Sequence, residues 1–134
     1  MGLFGARPHP LVGTWRLISA EFELADGDKA GDVFGPEPRG WLIVTADGRL
    51  MAMLGATESS DLMTYTGAYR LEGEGRFVTR VDMAWRADWV GTDQGRNFRI
   101  EGDELFIVSD ELPHPVLADQ MGRGVLRWRR HRQR

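Results

Sequence analysis

The sequence predicts an all-β protein, an eight-stranded antiparallel up-and-down barrel. Three observations carry that prediction. The dominant hydrophobic period is two, the alternation of a strand with one buried face. Short Asp-Gly and Gly-containing turns separate the alternating runs. No βαβ-type crossover interrupts them, and a series of eight sequential hairpin strands removes its open edges by closing on itself. Such a barrel is just wide enough to be filled by side chains or to hold one small ligand.

The elements follow in order. In residues 12–24, Ile18, Ala20, Phe22 and Leu24 alternate with Ser19, Glu21 and Glu23. Trp15 and Leu17 fall on the other parity, so a bulge or sharp bend is expected near Leu17–Ile18. Asp26-Gly27 closes this strand. Residues 31–40 hold two prolines and three glycines and are expected to be a loop. A hairpin follows, with strands 41–45 and 49–54 around Ala46-Asp47-Gly48, and then an expected loop over 55–63. Residues 64–71 and 76–85 form a second hairpin across Glu72-Gly73-Glu74-Gly75; residues 92–100 and 104–109 form a third across Glu101-Gly102-Asp103. Residues 110–124, with Pro113-His114-Pro115, read as a long loop before a last strand over 125–130. The single candidate helical turn is 84–90, where Trp85 and Trp89 share a face. The chain thus divides into an N-terminal extension (1–10), a barrel domain (11–130) and a basic tail (131–134).

Composition bounds the function. A chain of 134 residues favours one domain, and 42% hydrophobic with 28% charged residues is ordinary for a globular protein. Seventeen basic against 20 acidic residues leave a net charge of −3, which argues against a general nucleic-acid binder. Zero cysteines exclude disulfides, thiolate nucleophiles and sulfur-ligated zinc. His9, His114 and His131 are scattered without ligand spacing, so neither a metal nor a cofactor is expected. No apolar run approaches the ~18–20 residues that cross a bilayer, and no membrane partner is expected. The first ten residues lack an apolar core of signal-peptide length, which makes the cytoplasm the expected location.

Gly13-Thr14-Trp15 matches the Gly-x-Trp of the first lipocalin strand. The chain resembles the bacterial and fungal lipocalin-like domain family across residues 11–130. The matching pieces are Leu11-Val12-Gly13-Thr14-Trp15-Arg16-Leu17, Pro38-Arg39-Gly40-Trp41-Leu42-Ile43 with Asp47-Gly48-Arg49, Tyr65-Thr66-Gly67-Ala68-Tyr69, residues 89–98 and Leu126-Arg127-Trp128-Arg129-Arg130. The resemblance implies an eight-stranded barrel that binds a small, partly hydrophobic molecule. Two departures stand out. The family's His-His pair is replaced by Thr79-Arg80, so no histidine chemistry carries over, and Ala87 stands where a proline usually precedes Trp89.

In such a fold Gly13 and Trp15 are expected to be structural. Trp15 plugs the closed end, with Arg127, Arg129 or Arg130 across its ring in a cation–π contact. Tyr65 and Tyr69 flank Gly67 on one face; either they address a ligand across a gap in the wall, or they pack with satisfied hydroxyls. Arg96 is in phase with Phe98 and Ile100 and so points inward with them. A buried charge needs a partner, either an internal carboxylate (Asp82, Asp93 or Glu104), which is favoured, or an anionic ligand read bidentately. Arg80 and Asp82 share a face, an exposed pair being the favoured meaning, although Arg80 also counts as a candidate ligand contact. Trp41 and Ile43, and Met51 and Met53, are candidate pocket walls or ordinary core. Trp85 and Trp89 line the barrel mouth or cover an oligomer contact. Ser19, Ser59, Ser60 and Ser109 have no nucleophile-elbow context, and no catalytic set is identified.

The sequence therefore points to a non-catalytic barrel binding a small hydrophobic or amphipathic molecule, anions included. Its ligand contacts are expected at Trp41, Met51, Met53, Tyr65, Tyr69, Arg80, Arg96 and Phe98. One alternative is a barrel isomerase or cyclase for a polyketide- or terpenoid-like substrate. The other is a filled structural barrel serving self-association, for instance as a homodimer.

Overall fold

A computed structural model describes residues 7–27, 29–56, 62–113 and 120–132. The strands are β1 (Gly13–Leu24), β2 (Lys29–Asp32), β3 (Pro38–Val44), β4 (Arg49–Ala56), β5 (Leu62–Leu71), β6 (Arg76–Ala84), β7 (Asp93–Glu101), β8 (Glu104–Ser109), β9 (Leu112–Pro113) and β10 (Met121–Arg130). All pairings are antiparallel. The order β1-β3-β4-β5-β6-β7-β8-β10 returns to β1, which closes an eight-stranded barrel. β1 makes the closure by pairing with β3 at Gly13–Arg16 and with β10 at Trp15–Leu24. β2 and β9 are short additions on the overhanging ends of β1 and β10.

The expected bulge in β1 is present. The register against β10 shifts between Leu17 and Ser19, and Trp15 and Leu17 are buried before it, Ala20 and Phe22 after it. One extra residue lets both apolar sets face the interior. The expected loops are too long: β3 begins at Pro38, β4 runs to Ala56, β5 begins at Leu62 and β10 begins at Met121. Proline suits the first residue of a strand, where its missing N–H breaks no ladder. The candidate helical turn contracts to a 3-10 turn at Ala87–Trp89.

The three tight hairpin turns lie at one end, and Trp15 fills that end. Its indole Nε1 donates to the Leu11 carbonyl at 3.0 Å, and Arg130 Cζ lies 4.1 Å from the ring centroid. Arg130 also donates to the carbonyls of Val12 (3.0 Å) and Pro10 (2.7 Å), tying the incoming chain to the last strand. Gly13 is required here: its φ is +148°, and a Cβ would sit 2.6 Å from Arg130 Nη1. Of the three arginines considered, Arg130 is the one on Trp15. Arg127 and Arg129 both bind Glu104, and that carboxyl is pulled down to about 2 by their hydrogen bonds.

Candidate ligand cavity

A cavity of about 70 Å³ lies inside the barrel. Its apolar wall includes Phe22, Phe34, Leu42, Leu50, Ala52 and Leu54, and its polar lining residues are Glu21, Tyr65, Arg96 and Ser109, with Trp128. At the end opposite Trp15, the turn between β6 and β7 places the buried Trp89 against the cavity. The Trp89 ring packs on Trp85 (4.8 Å between centroids) and on Tyr65 (5.3 Å). Of the two tryptophans considered for the mouth, Trp89 reaches the cavity itself.

Arg96 is the central polar residue. It is 7% exposed, in phase with Phe98 and Ile100 as the alternation requires, and its pairing places it between Phe77 of β6 and Ser109 of β8. Its guanidinium makes one hydrogen bond, from Nη1 to the Gly95 carbonyl at 2.9 Å. None of the three suggested internal partners takes it. Asp82 accepts from Arg49 and Thr66 (both 2.7 Å), Asp93 binds Arg80 at 2.6 Å, and Glu104 binds Arg127 and Arg129. Asp110, which follows Ser109 on the facing strand, is held by both terminal nitrogens of Arg76 at 2.8 and 2.9 Å. Those bonds, with the charges of Arg76 and Arg96, hold its carboxyl below the usual range. Among the described residues Arg96 has no ion pair, and leaving a buried charge so is costly.

Ser109, buried beside Arg96, accepts the Gly124 N–H at 2.7 Å and thereby keeps its own O–H available to donate. Trp128 Nε1 is buried without an acceptor. Buried polar groups are normally satisfied, so each such group calls for an explanation. The other orphan is the Thr79 hydroxyl, which faces inward on β6.

Several expected contacts lie elsewhere. Trp41 (42% exposed), Met51 and Met53 are on the outer surface; Gly40, Leu42, Val44, Leu50, Ala52 and Leu54 face inward. Both faces of β3 and β4 are apolar, so period alone could not choose between them. The choice is made by Gly40, where a Cβ would lie 2.6 Å from the Met53 carbonyl and 3.2 Å from Leu17. Arg80 is exposed and paired with Asp93 rather than Asp82. Tyr69 donates its hydroxyl to the Thr45 carbonyl at 2.8 Å at the Trp15 end, and burial, then the Asp47 charge, raises its pKa. Gly67 opens no gap for a ligand: the Arg80 carbonyl and Thr79 methyl of β6 occupy its inner side, 2.2 and 2.7 Å from where a Cβ would be. Phe98 faces inward but packs on Phe77 and His9, not on the cavity. Tyr65 and Arg96 are therefore the two expected contacts that meet at the cavity. Ser109 and Trp128 were missed, although the hairpin around Glu101-Gly102-Asp103 puts Ser109 opposite Arg96 by counting. His114, Ser59 and Ser60 lie outside the described residues. Among the described residues no cluster of three His, Asp or Glu side chains could hold a metal.

A closed antiparallel eight-stranded barrel, stoppered at one end by a tryptophan and enclosing an apolar cavity, is the architecture of the up-and-down ligand-binding barrels. The model of the lipocalin-like domain family matches residues 55–131, more than half of the chain, and the chain belongs to that family. The matched span carries Tyr65, Arg96, Ser109 and Trp128; Gly13-Thr14-Trp15 precedes it. No curated protein matches the chain.

Proposed function

We propose that this protein is a non-catalytic carrier or sensor that encloses a small hydrophobic or amphipathic molecule in its barrel. The single observation that carries the reading is an apolar interior cavity bearing a buried arginine that forms no ion pair among the described residues. A few convergent polar groups in an apolar wall are the usual form of a ligand site. The volume limits the ligand. Pockets for drug-sized molecules run to ~300–1,000 Å³, so about 70 Å³ suits a compound of few heavy atoms.

Gentle native mass spectrometry of freshly purified protein tests this, together with thermal-shift titration of small polar and apolar compounds. Ala52, buried on the cavity wall, supplies the control. The reading expects a bound small molecule or a stabilising compound, with the effect abolished by Ala52→Met. If no compound binds and Ala52→Met merely stabilises the fold, the cavity is a packing gap and the reading fails.

One observation favours a second reading, the barrel as a self-associating element. Trp41, Ile43, Met51 and Met53 are all exposed, and cross-strand register sets Trp41 opposite Met53 and Ile43 opposite Met51 on β3 and β4. A contiguous outer apolar patch of this kind is what a homodimer contact requires. Light scattering should then show a dimer that Met53→Lys converts to a monomer; a wild-type monomer at high concentration removes this reading.

A further inference from the structure

We infer that Arg96 and Ser109 form a carboxylate seat, and that the cavity takes a short-chain monocarboxylic acid. The inference rests on reading the cavity as a ligand site and names the class of ligand. The Arg96 guanidinium offers four N–H groups beyond the one given to Gly95, and Ser109 offers its hydroxyl hydrogen. The Tyr65 hydroxyl on the same wall can donate as well. Arg96 carries a permanent positive charge. The complementary ligand group is an acceptor-only anion.

Register supports one seat rather than scattered donors. Arg96 and Ser109 are directly opposite on β7 and β8, where Cβ atoms stand about 4.5–5.5 Å apart. A planar carboxylate can take two parallel N–H bonds from a guanidinium and still accept from the neighbouring hydroxyl. A phosphate has further charged oxygens, and the remaining wall of Leu42, Leu50, Ala52, Leu54 and Phe34 offers them nothing. Glu21 lines the cavity but alternates out of phase with the buried Ala20 and Phe22, so its carboxylate is not set against Arg96.

Size completes the inference. At about 10–15 Å³ for each water-sized position, 70 Å³ holds about five or six heavy atoms. Two of these are carboxylate oxygens, which leaves three or four carbons, the carboxyl carbon included, as in propionate or butyrate.

The test uses the full chain at pH 7, with butyrate, valerate and octanoate titrated against the neutral isostere butyramide by calorimetry and amide NMR shifts. Butyrate is expected to bind at least tenfold more tightly than butyramide. Arg96→Gln should erase that preference, and Ser109→Ala should weaken acid binding several-fold while leaving butyramide unchanged. Should Arg96→Gln fail to fold, Ser109→Ala and Arg96→Lys carry the test, the lysine retaining charge without the bidentate fork. Equal binding of acid and amide, or an acid preference that survives both substitutions, overturns the carboxylate seat and leaves the cavity reading intact. Tighter binding of octanoate than of butyrate overturns the size limit. Binding of neither acid nor amide overturns the seat, and the loss of the broader cavity reading is then shown separately by the Ala52→Met comparison.

Discussion

Replacing Arg130 tests the closure of the barrel, because this one side chain holds three things at once. It covers the face of Trp15, which is completely buried, and it donates to the Val12 and Pro10 carbonyls. A cation–π contact on a desolvated ring is worth about 1–2 kcal/mol. The half-buried bond to Val12 adds roughly 1 kcal/mol, and the exposed bond to Pro10 adds less, about 0.5 kcal/mol. Arg130→Met, which keeps an apolar stem over the ring, should therefore cost about 2.5–3.5 kcal/mol. For a chain of this length 1 kcal/mol corresponds to about 3–4 °C, so the melting temperature should fall by roughly 8–14 °C. Arg130→Lys should land between the two, because it keeps the charge and loses the fork. The assay is thermal unfolding followed by circular dichroism, with Arg129→Met as the comparison, since Arg129 is exposed and bound to Glu104. The reasoning is refuted if Arg130→Met costs no more than Arg129→Met.

Three further outcomes follow from the same structure. Gly67→Ala would bring a methyl within 2.2 Å of the Arg80 carbonyl, so it should cost about 1–3 kcal/mol by forcing β5 and β6 apart; an unchanged urea midpoint would contradict the close approach. Leu50→Ala should cost about 2–5 kcal/mol, whereas Met51→Lys, one residue on and facing out, should stay within about 0.5 kcal/mol; comparable losses at both would mean that the strand phase is reversed. Glu104 is held at about 2 against an ordinary value of 4.5, so the unfolded chain takes up its proton first as pH falls. Its contribution is complete above 4.5 and is lost between there and 2. Asp82, Asp93, Asp103 and Asp110, each lowered by an arginine, act in the same direction. Acid titration of the melting temperature should therefore show a steep decline that Glu104→Gln makes shallower, and a parallel decline in the variant would refute the assignment.

The candidate site was partly legible before any coordinates. Arg96 could be placed inside because Phe98 and Ile100 set the phase of its strand, and only one side of β7 is apolar. Ser109 was equally accessible through the count across the Glu101-Gly102-Asp103 turn, but serine carries no hydrophobic signal to draw attention to it. Arg80 was uncertain for the opposite reason. A strand face says nothing about whether the next strand supplies Asp93 or the same strand supplies Asp82.

The sequence by itself determined the eight barrel strands, the hairpins and the bulge at Leu17–Ile18, because these depend on the local order of apolar, polar and turn residues; the short β2 and β9 fall largely in stretches it read as loops. It also determined that an arginine faces inward. Tertiary structure alone decided which side of β3 and β4 is the interior, since both sides are apolar and the close packing of Gly40 against Leu17 and Met53 makes the choice. It alone decided that Gly67 is filled by β6, that Arg130 rather than Arg127 or Arg129 covers Trp15, and that Asp110, which feels the Arg96 charge, is ion-paired with Arg76 instead. Each of these depends on which strands the closed barrel brings together. Pairing across a barrel is set by shear and register summed over all its strands, and no local stretch of sequence carries that sum.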